Sequence, residues 1–107
     1  MSADKDRKIR KARRVELRCT LGFSSGEIQG DATITNISTA GCRAESDINV
    51  AEGLDVQLVI QLPDQSPPVK IERASVRWVS GRAFGLCFVL FFPSERAHLR
   101  TFIDKMK

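Results

Sequence analysis

The chain has 107 residues, 42% of them hydrophobic, which is enough for one compact domain with a modest core and leaves no room for a second. Its three cysteines show no C-x-x-C spacing and histidine occurs once, so a disulfide framework, a metal site and histidine-based catalysis are all disfavoured. The net charge is +4, and residues 1–18 alone hold eight Lys or Arg against three Asp or Glu. Basic character is therefore concentrated at the N-terminal end, where it would attract phosphates of any kind.

Residues 1–14 contain almost no apolar side chains, so we expect a flexible basic arm that becomes ordered only against a partner. The arm ends in the basic run Arg10-Lys11-Ala12-Arg13-Arg14. An arginine side chain can clamp a phosphate or a guanine edge with two parallel hydrogen bonds and can also stack on a base. The arm is therefore a candidate site for an anionic, guanine-bearing ligand.

Membrane association is not expected. The N-terminus lacks the apolar segment of a signal peptide, and the longest apolar run, residues 83–92, is too short to cross a bilayer. The cysteine pattern suits a reducing compartment. We therefore expect a soluble, cytoplasmic protein.

Three strands are predicted in the first half of the chain. Apolar and polar residues alternate over residues 15–23, the period of a strand with one buried face, and Ser24-Ser25-Gly26 then forms a hairpin turn. Residues 28–37 are rich in threonine and isoleucine and predict the second strand. It ends at the turn Asn36-Ile37-Ser38-Thr39-Ala40-Gly41, whose amide and hydroxyl can hydrogen-bond locally or to a ligand and whose glycine permits a positive φ or a close approach. A short third strand follows through Cys42 and Ala44.

Three further strands are predicted in the second half. Residues 54–62 alternate almost without fault. In residues 69–79 the alternation changes parity, with Ala74, Val76 and Trp78 on the second face, and a bulge near Glu72 and Arg73 would reconcile the two faces. The run 82–91 is almost continuously apolar, which indicates a strand covered on both sides.

A helix over residues 94–106 is predicted at the C-terminal end, with Ser94 as its N-cap and Glu95 in the first turn. Its apolar stripe consists of Leu99, Phe102, Ile103 and Met106. About six short strands with hairpin-length connections favour a mainly β fold, a small six-stranded antiparallel β-barrel, because closure removes exposed sheet edges. The C-terminal α-helix would plug or flank this barrel, which occupies residues 15–107.

Two motifs on this strand pattern carry a resemblance to a known family. They are Arg10-x-x-x-Arg14 before the first strand and Asn36-x-Ser38-x-x-Gly41 after the second, with Val76-x-Trp78 and Gly85-x-x-Phe88 following in later strands. In this order and spacing they are similar to the motifs of the PilZ domain family, bacterial receptors for cyclic di-GMP. Arg14-x-x-x-Arg18 also fits the first motif, and we favour Arg10 with Arg14 because Arg18 lies inside the alternating strand.

The resemblance implies a cyclic di-GMP site in which Arg10 and Arg14 bracket the ligand and Arg13 adds a phosphate contact. Asn36 and Ser38 would meet a guanine, and Gly41 would keep the turn tight. Trp78 is either a stacking partner or a core residue. The predicted ligand-binding residues are Arg10, Arg13, Arg14, Asn36, Ser38, Gly41 and Trp78.

The predicted function is that of a cyclic di-GMP receptor or adaptor, a monomer or weak dimer, whose arm becomes ordered on binding and which signals to an unidentified protein effector. No cofactor, metal or catalytic residue set is expected. Two alternatives remain: a PilZ-like protein-interaction module that does not bind the nucleotide, and a small nucleic-acid-binding barrel of the OB or Tudor kind. Nucleic acid is disfavoured because no strand shows the exposed aromatic residues that stack on bases.

Overall fold

A computed structural model of the protein describes residues 14–26 and 28–106. The predictions for residues 1–13, including Arg10 and Arg13, lie outside the described residues. Six strands and a helix follow one another along the chain: β1 Val15–Ser25, β2 Ile28–Ile37, β3 Gly41–Glu45, β4 Asp55–Gln61, β5 Val69–Ser80, β6 Ala83–Leu90 and α1 Pro93–Lys105.

The strands close into a barrel in the spatial order β1-β2-β3-β6-β5-β4, and every neighbouring pair is antiparallel. This confirms the predicted fold class. The alternation in β4 shows why the barrel forms: Val56, Leu58 and Ile60 point inward and are buried, while the residues between them are exposed. Each such aliphatic side chain contributes about 1.5–3 kcal/mol by leaving water.

The predicted bulge in β5 is present. Leu58 faces Ile71 and Val56 faces Ala74. A step of two residues along β4 therefore corresponds to a step of three residues along β5. The additional residue falls at Glu72–Arg73, where the sequence pattern changes parity. It turns the second half of β5 so that Ala74 and Val76 point into the core.

A second bulge in β5 was not predicted. Val76 faces Leu86 and Trp78 faces Gly85, so Arg77 is an additional residue relative to β6. The prediction that Trp78 shares a face with Ala74 and Val76 is therefore wrong, because this bulge turns the indole outward, where it is 41% exposed.

The prediction that β6 is covered on both sides holds only for its first half. Ala83 to Leu86 are buried: Phe84 and Leu86 belong to the core, and Trp78 lies over the outer side of the strand at Gly85. Val89 and Leu90, at the end of the strand, are exposed.

Helix α1 begins and ends one residue earlier than predicted. Its N-cap is Phe92, and Pro93 occupies the first turn, so the prediction of Ser94 as N-cap is wrong. Proline is favoured at the first helical position because its φ is already helical. An N–H at this position would have no partner within the helix, so its absence from proline costs no hydrogen bond. Ser94 therefore lies inside the helix.

The apolar stripe of α1 packs against the hydrophobic core of the barrel, where Leu99, Phe102 and Ile103 are buried. Met106 is an exception to the predicted stripe, because it is the C-cap residue and is exposed. Glu95 anchors the first turn by accepting a hydrogen bond of 3.0 Å from the backbone N–H of Lys70. In the part of the chain described here, no helix is both long enough and apolar enough to cross a membrane.

Candidate functional site

An open groove of about 540 Å³ lies on the outside of the barrel, across β2, β3, β6 and β5. Four of the seven predicted ligand-binding residues line it: Arg14, Asn36, Gly41 and Trp78. Two arginines that were not predicted also line it, Arg43 and Arg77, and no acidic residue is among its lining residues. The groove is therefore a basic surface with one exposed aromatic ring.

The floor of the groove is a row of cross-strand neighbours. Asn36 on β2 faces Arg43 on β3, Arg43 faces Gly85 on β6, and Gly85 faces Trp78 on β5. Side chains directly opposite each other in antiparallel strands are close enough to interact. The barrel thus brings an amide and a guanidinium from β2 and β3 into one row with an indole from β5, more than 30 residues later in the sequence.

Arg14 lies at one end of this row. It directly precedes β1, whose first residues pair with the end of β2, and its Nη1 donates a hydrogen bond of 2.7 Å to the Asn36 Oδ1. The last residue of the basic run and the first residue of the turn motif are therefore in direct contact. A guanidinium has five N–H donors, so one bond to Asn36 uses only part of its capacity.

Ser38 does not line the groove. Its side chain is buried, with the residue 1% exposed, and its hydroxyl accepts hydrogen bonds from the backbone N–H groups of Ala40 at 3.0 Å and Gly41 at 3.2 Å. The Ser38 N–H also donates to the Gly41 carbonyl at 2.8 Å. The serine of the turn motif thus holds the turn together from inside.

Gly41 is required by a close approach of two backbones. A Cβ atom at this position would lie 2.1 Å from the carbonyl oxygen of Leu86 on the neighbouring strand. The φ angle of Gly41 is not in the left-handed region, so the backbone conformation of the turn does not itself require glycine. The absent side chain lets β3 pair tightly with β6 at the edge of the groove.

The indole of Trp78 lies against the backbone of Gly85. A Cβ atom on Gly85 would be 2.1 Å from the indole Nε1, so only glycine leaves room for the ring there. The two residues belong to the Val76-x-Trp78 and Gly85-x-x-Phe88 motifs, which the sequence shows as separate features. Their contact fixes the ring as one wall of the groove.

Arg43 is the residue of the groove that the sequence could have revealed. Cys42 and Ala44 of the short third strand point inward, so the alternation places Arg43 on the outer surface beside the turn. Arg77 has no such signal, because its position depends on the second bulge in β5.

Arg18, the alternative second arginine of the first motif, lies outside the groove. It lines an adjacent trough of about 500 Å³, which shares Asn36 and Arg43 with the groove. Arg14 belongs to both possible registers of the motif, and it is the arginine that contacts Asn36.

The three cysteines differ in burial, and Cys42 and Cys87 both line the groove. Burial raises the pKa of Cys42 to about 12, with a smaller contribution from the nearby Cys19, and burial raises the pKa of Cys19 to about 11. Both are therefore neutral and unreactive near pH 7. Cys87 is half-buried and lines the groove.

Among residues 14–26 and 28–106, no cluster of His, Cys, Asp or Glu is arranged to hold a metal ion.

Solved structures share this fold, and three of them illustrate the similarity. The Bacillus subtilis inhibitor of motility MotI/DgrA matches with a TM-score of 0.76 and 18% identity, over 90% of this chain and 50% of that one. The PilZ domain of YcgR from Escherichia coli, solved with c-di-GMP, matches with a TM-score of 0.74 and 13% identity, over 91% and 90%. The PilZ domain of CeSA from a cellulose-synthesizing bacterium matches with a TM-score of 0.67 and 8% identity, over 87% and 96%.

At these identities the three structures show a common fold, and this chain spans only half the length of MotI/DgrA. No curated protein sequence matches the chain. The family model for the PilZ domain matches residues 8–105, which is nearly the whole chain and includes both motifs. The protein therefore belongs to the PilZ domain family.

Proposed function

We propose that the protein is a cyclic di-GMP receptor or adaptor that acts by binding rather than by catalysis. Membership of the PilZ family supports this, as does the similarity to the YcgR domain that was solved with c-di-GMP. The observation that carries the proposal is the Arg14–Asn36 hydrogen bond. It joins the two motifs in one groove with three arginines and an exposed tryptophan.

In this proposal the cations hold the ligand's phosphates and guanine edges. Arg14 acts from the barrel, and Arg10 and Arg13 act from the arm. Each good arginine contact to guanine O6 and N7 is worth about 1–3 kcal/mol. Trp78 offers an indole face on which a base can stack.

The turn residues divide their tasks. The Asn36 oxygen already accepts from Arg14, so we assign its NH₂ group to an acceptor on guanine. We assign Ser38 a supporting role, since its hydroxyl is used inside the turn. Gly41 likewise serves the ligand indirectly, by keeping β3 against β6.

Calorimetry with cyclic di-GMP on the wild type and on Arg14→Ala tests the proposal. The wild type is expected to bind, and Arg14→Ala to lose about tenfold or more in affinity, because one charged contact and the positioning of Asn36 are both lost. Arg100→Ala is the matched control, because Arg100 is exposed on α1 and does not line the groove. Its affinity should equal that of the wild type.

Equal affinities of the wild type and Arg14→Ala would contradict the site. No binding by the wild type at micromolar protein would favour the alternative of a protein-interaction module. Arg10→Ala and Arg18→Ala then decide the register of the arginine motif. We expect the greater loss from Arg10→Ala, and the opposite order would move the motif by four residues.

The proposed output is a change in the surface that the protein presents to an effector. Ligand contacts from Arg10 and Arg13 would hold residues 1–14 against the barrel, so binding and ordering of the arm are coupled. Amide hydrogen exchange measures this directly. Residues 8–13 should gain protection when cyclic di-GMP is added, and unchanged exchange in the presence of bound ligand would contradict the coupling.

A further inference from the structure

Arg43 occupies the centre of the groove, yet its guanidinium is already engaged by the protein. Its cross-strand neighbours are Asn36 on one side and Gly85, the residue beneath Trp78, on the other. Its Nη1 donates to the Thr35 hydroxyl at 2.9 Å and to the Glu45 carboxylate at 3.0 Å. The cation nearest the middle of the site is thus paired with an internal anion.

The engagement is local to β3 and its neighbour. Arg43 and Glu45 are two residues apart on the same outer face of the strand. Thr35, which accepts from the Arg43 side chain, also donates to the Arg43 carbonyl at 3.4 Å. Glu45 does not line the groove, so the ion pair joins the Arg43 guanidinium to a carboxylate outside the groove lining.

The Arg43–Glu45 pair is partly exposed, with 37% of each side chain accessible. Pairs of this exposure are weak because water screens both charges. A phosphate or a guanine edge can use both parallel donors of a guanidinium, which makes it a competitive partner for Arg43. An incoming anionic ligand can therefore exchange with Glu45 at small cost.

We propose that Arg43 is a second ligand-binding arginine of the barrel surface beside Arg14 and that Glu45 restrains it, so that the exchange of Glu45 for the ligand sets the affinity of the groove. The inference rests on the proposed function and names residues that neither family motif contains. Glu45 acts on the ligand through Arg43 and is a positioning residue.

Two variants test the proposal by calorimetry with cyclic di-GMP. Glu45→Gln removes the competing carboxylate and should tighten binding by about two- to fivefold, the range expected for an exposed pair. The double variant Arg43→Ala with Glu45→Gln removes the pair as a unit and leaves no unpaired charge. It should bind about fivefold or more weakly than the wild type, because one arginine contact to the ligand is lost.

Asp47→Asn is the matched control for the change in net charge. Asp47 follows the same strand and pairs with Arg82 at 2.8 Å, outside the groove. The affinity of Asp47→Asn for cyclic di-GMP should lie close to that of the wild type. A gain in affinity that occurs only in Glu45→Gln therefore identifies release of Arg43 rather than a general increase in positive potential. A gain of equal size in Asp47→Asn would overturn the proposed restraint.

The remaining outcomes are also decisive. If the double variant binds as well as the wild type, Arg43 makes no net contact with the ligand. If Glu45→Gln binds more weakly, Glu45 holds Arg43 in its binding position instead of competing for it. Either result overturns this inference while leaving an Arg14-dependent site intact, whereas absence of binding by the wild type would refute the proposed function itself.

Discussion

Ser38 and Gly41 show how the residues of a turn motif divide between building the barrel and lining the groove. The Ser38 hydroxyl closes the turn and Gly41 admits the neighbouring strand, so both are committed to the barrel. Asn36 and Arg14 remain at the surface of the groove. The sequence predicted that these residue types form a tight turn, but a hydroxyl facing a ligand and one facing its own backbone have the same signature in sequence.

Replacing Gly41 tests the close approach of β3 and β6. Gly41→Ala should lower the free energy of unfolding by more than about 2 kcal/mol, because its Cβ would overlap a backbone carbonyl that cannot rotate away. Chemical denaturation measures this change. Gly22→Ala is the control, since the nearest atoms to its Cβ lie at 3.9 Å. Similar stabilities of the two variants would show that the strands can separate without cost.

Replacing Ser38 tests the inner hydrogen bonds of the turn. Ser38→Ala removes the acceptor of the Ala40 and Gly41 N–H groups, and the Gly41 N–H is buried, so the change should cost about 1–3 kcal/mol in the free energy of unfolding. Ser94→Ala makes the same chemical change in α1, where Ser94 does not cap the helix. Thermal unfolding should show little effect for Ser94→Ala, and a larger loss there than for Ser38→Ala would reverse the assignment of both residues.

At the scale of elements, β5 separates what the sequence could predict from what it could not. The bulge at Glu72–Arg73 breaks the alternation of apolar residues, so it is visible as a change of parity. The bulge at Arg77 leaves Val76-Arg77-Trp78 looking like a regular strand with an inward tryptophan. Only the space above Gly85 on the next strand shows why the ring turns outward. Likewise, Ser94 matches the usual N-cap residue type, and Pro93 shifts the cap by two residues to Phe92.

The contact between β5 and β6 can be tested at Gly85. Gly85→Ala should push the indole of Trp78 from its place, because the new Cβ would overlap the ring. Trp78 is the only tryptophan of the chain, so its fluorescence reports this shift directly. We expect emission at longer wavelength and weaker binding of cyclic di-GMP, with Gly22→Ala as the control. Unchanged emission would mean that the indole does not rest on Gly85.

At the scale of the whole molecule, the closed barrel and α1 share one hydrophobic core and carry the basic groove on the outer surface of the sheet. The fold followed from the sequence because alternation and turn residues agree along most of the chain. The groove could be predicted from the sequence only in part. Its floor is a row of residues across four strands, and the register of these strands is set by bulges and by the glycine contacts. A second trough of about 400 Å³ lies elsewhere on the barrel, lined in part by Gly22, Asp31 and Val59, and no arginine is found among the described residues that line it.

A titration of the ¹⁵N-labelled protein with cyclic di-GMP, followed by ¹⁵N–¹H correlation spectra, tests the location of the site most directly. The account predicts that the largest shifts fall on Asn36, Gly41, Arg43 and the indole N–H of Trp78, which all belong to the basic groove. The trough around Gly22 and Val59 serves as an internal control and should remain unaffected. Shifts concentrated in that trough, or no shifts at saturating ligand, would contradict the account.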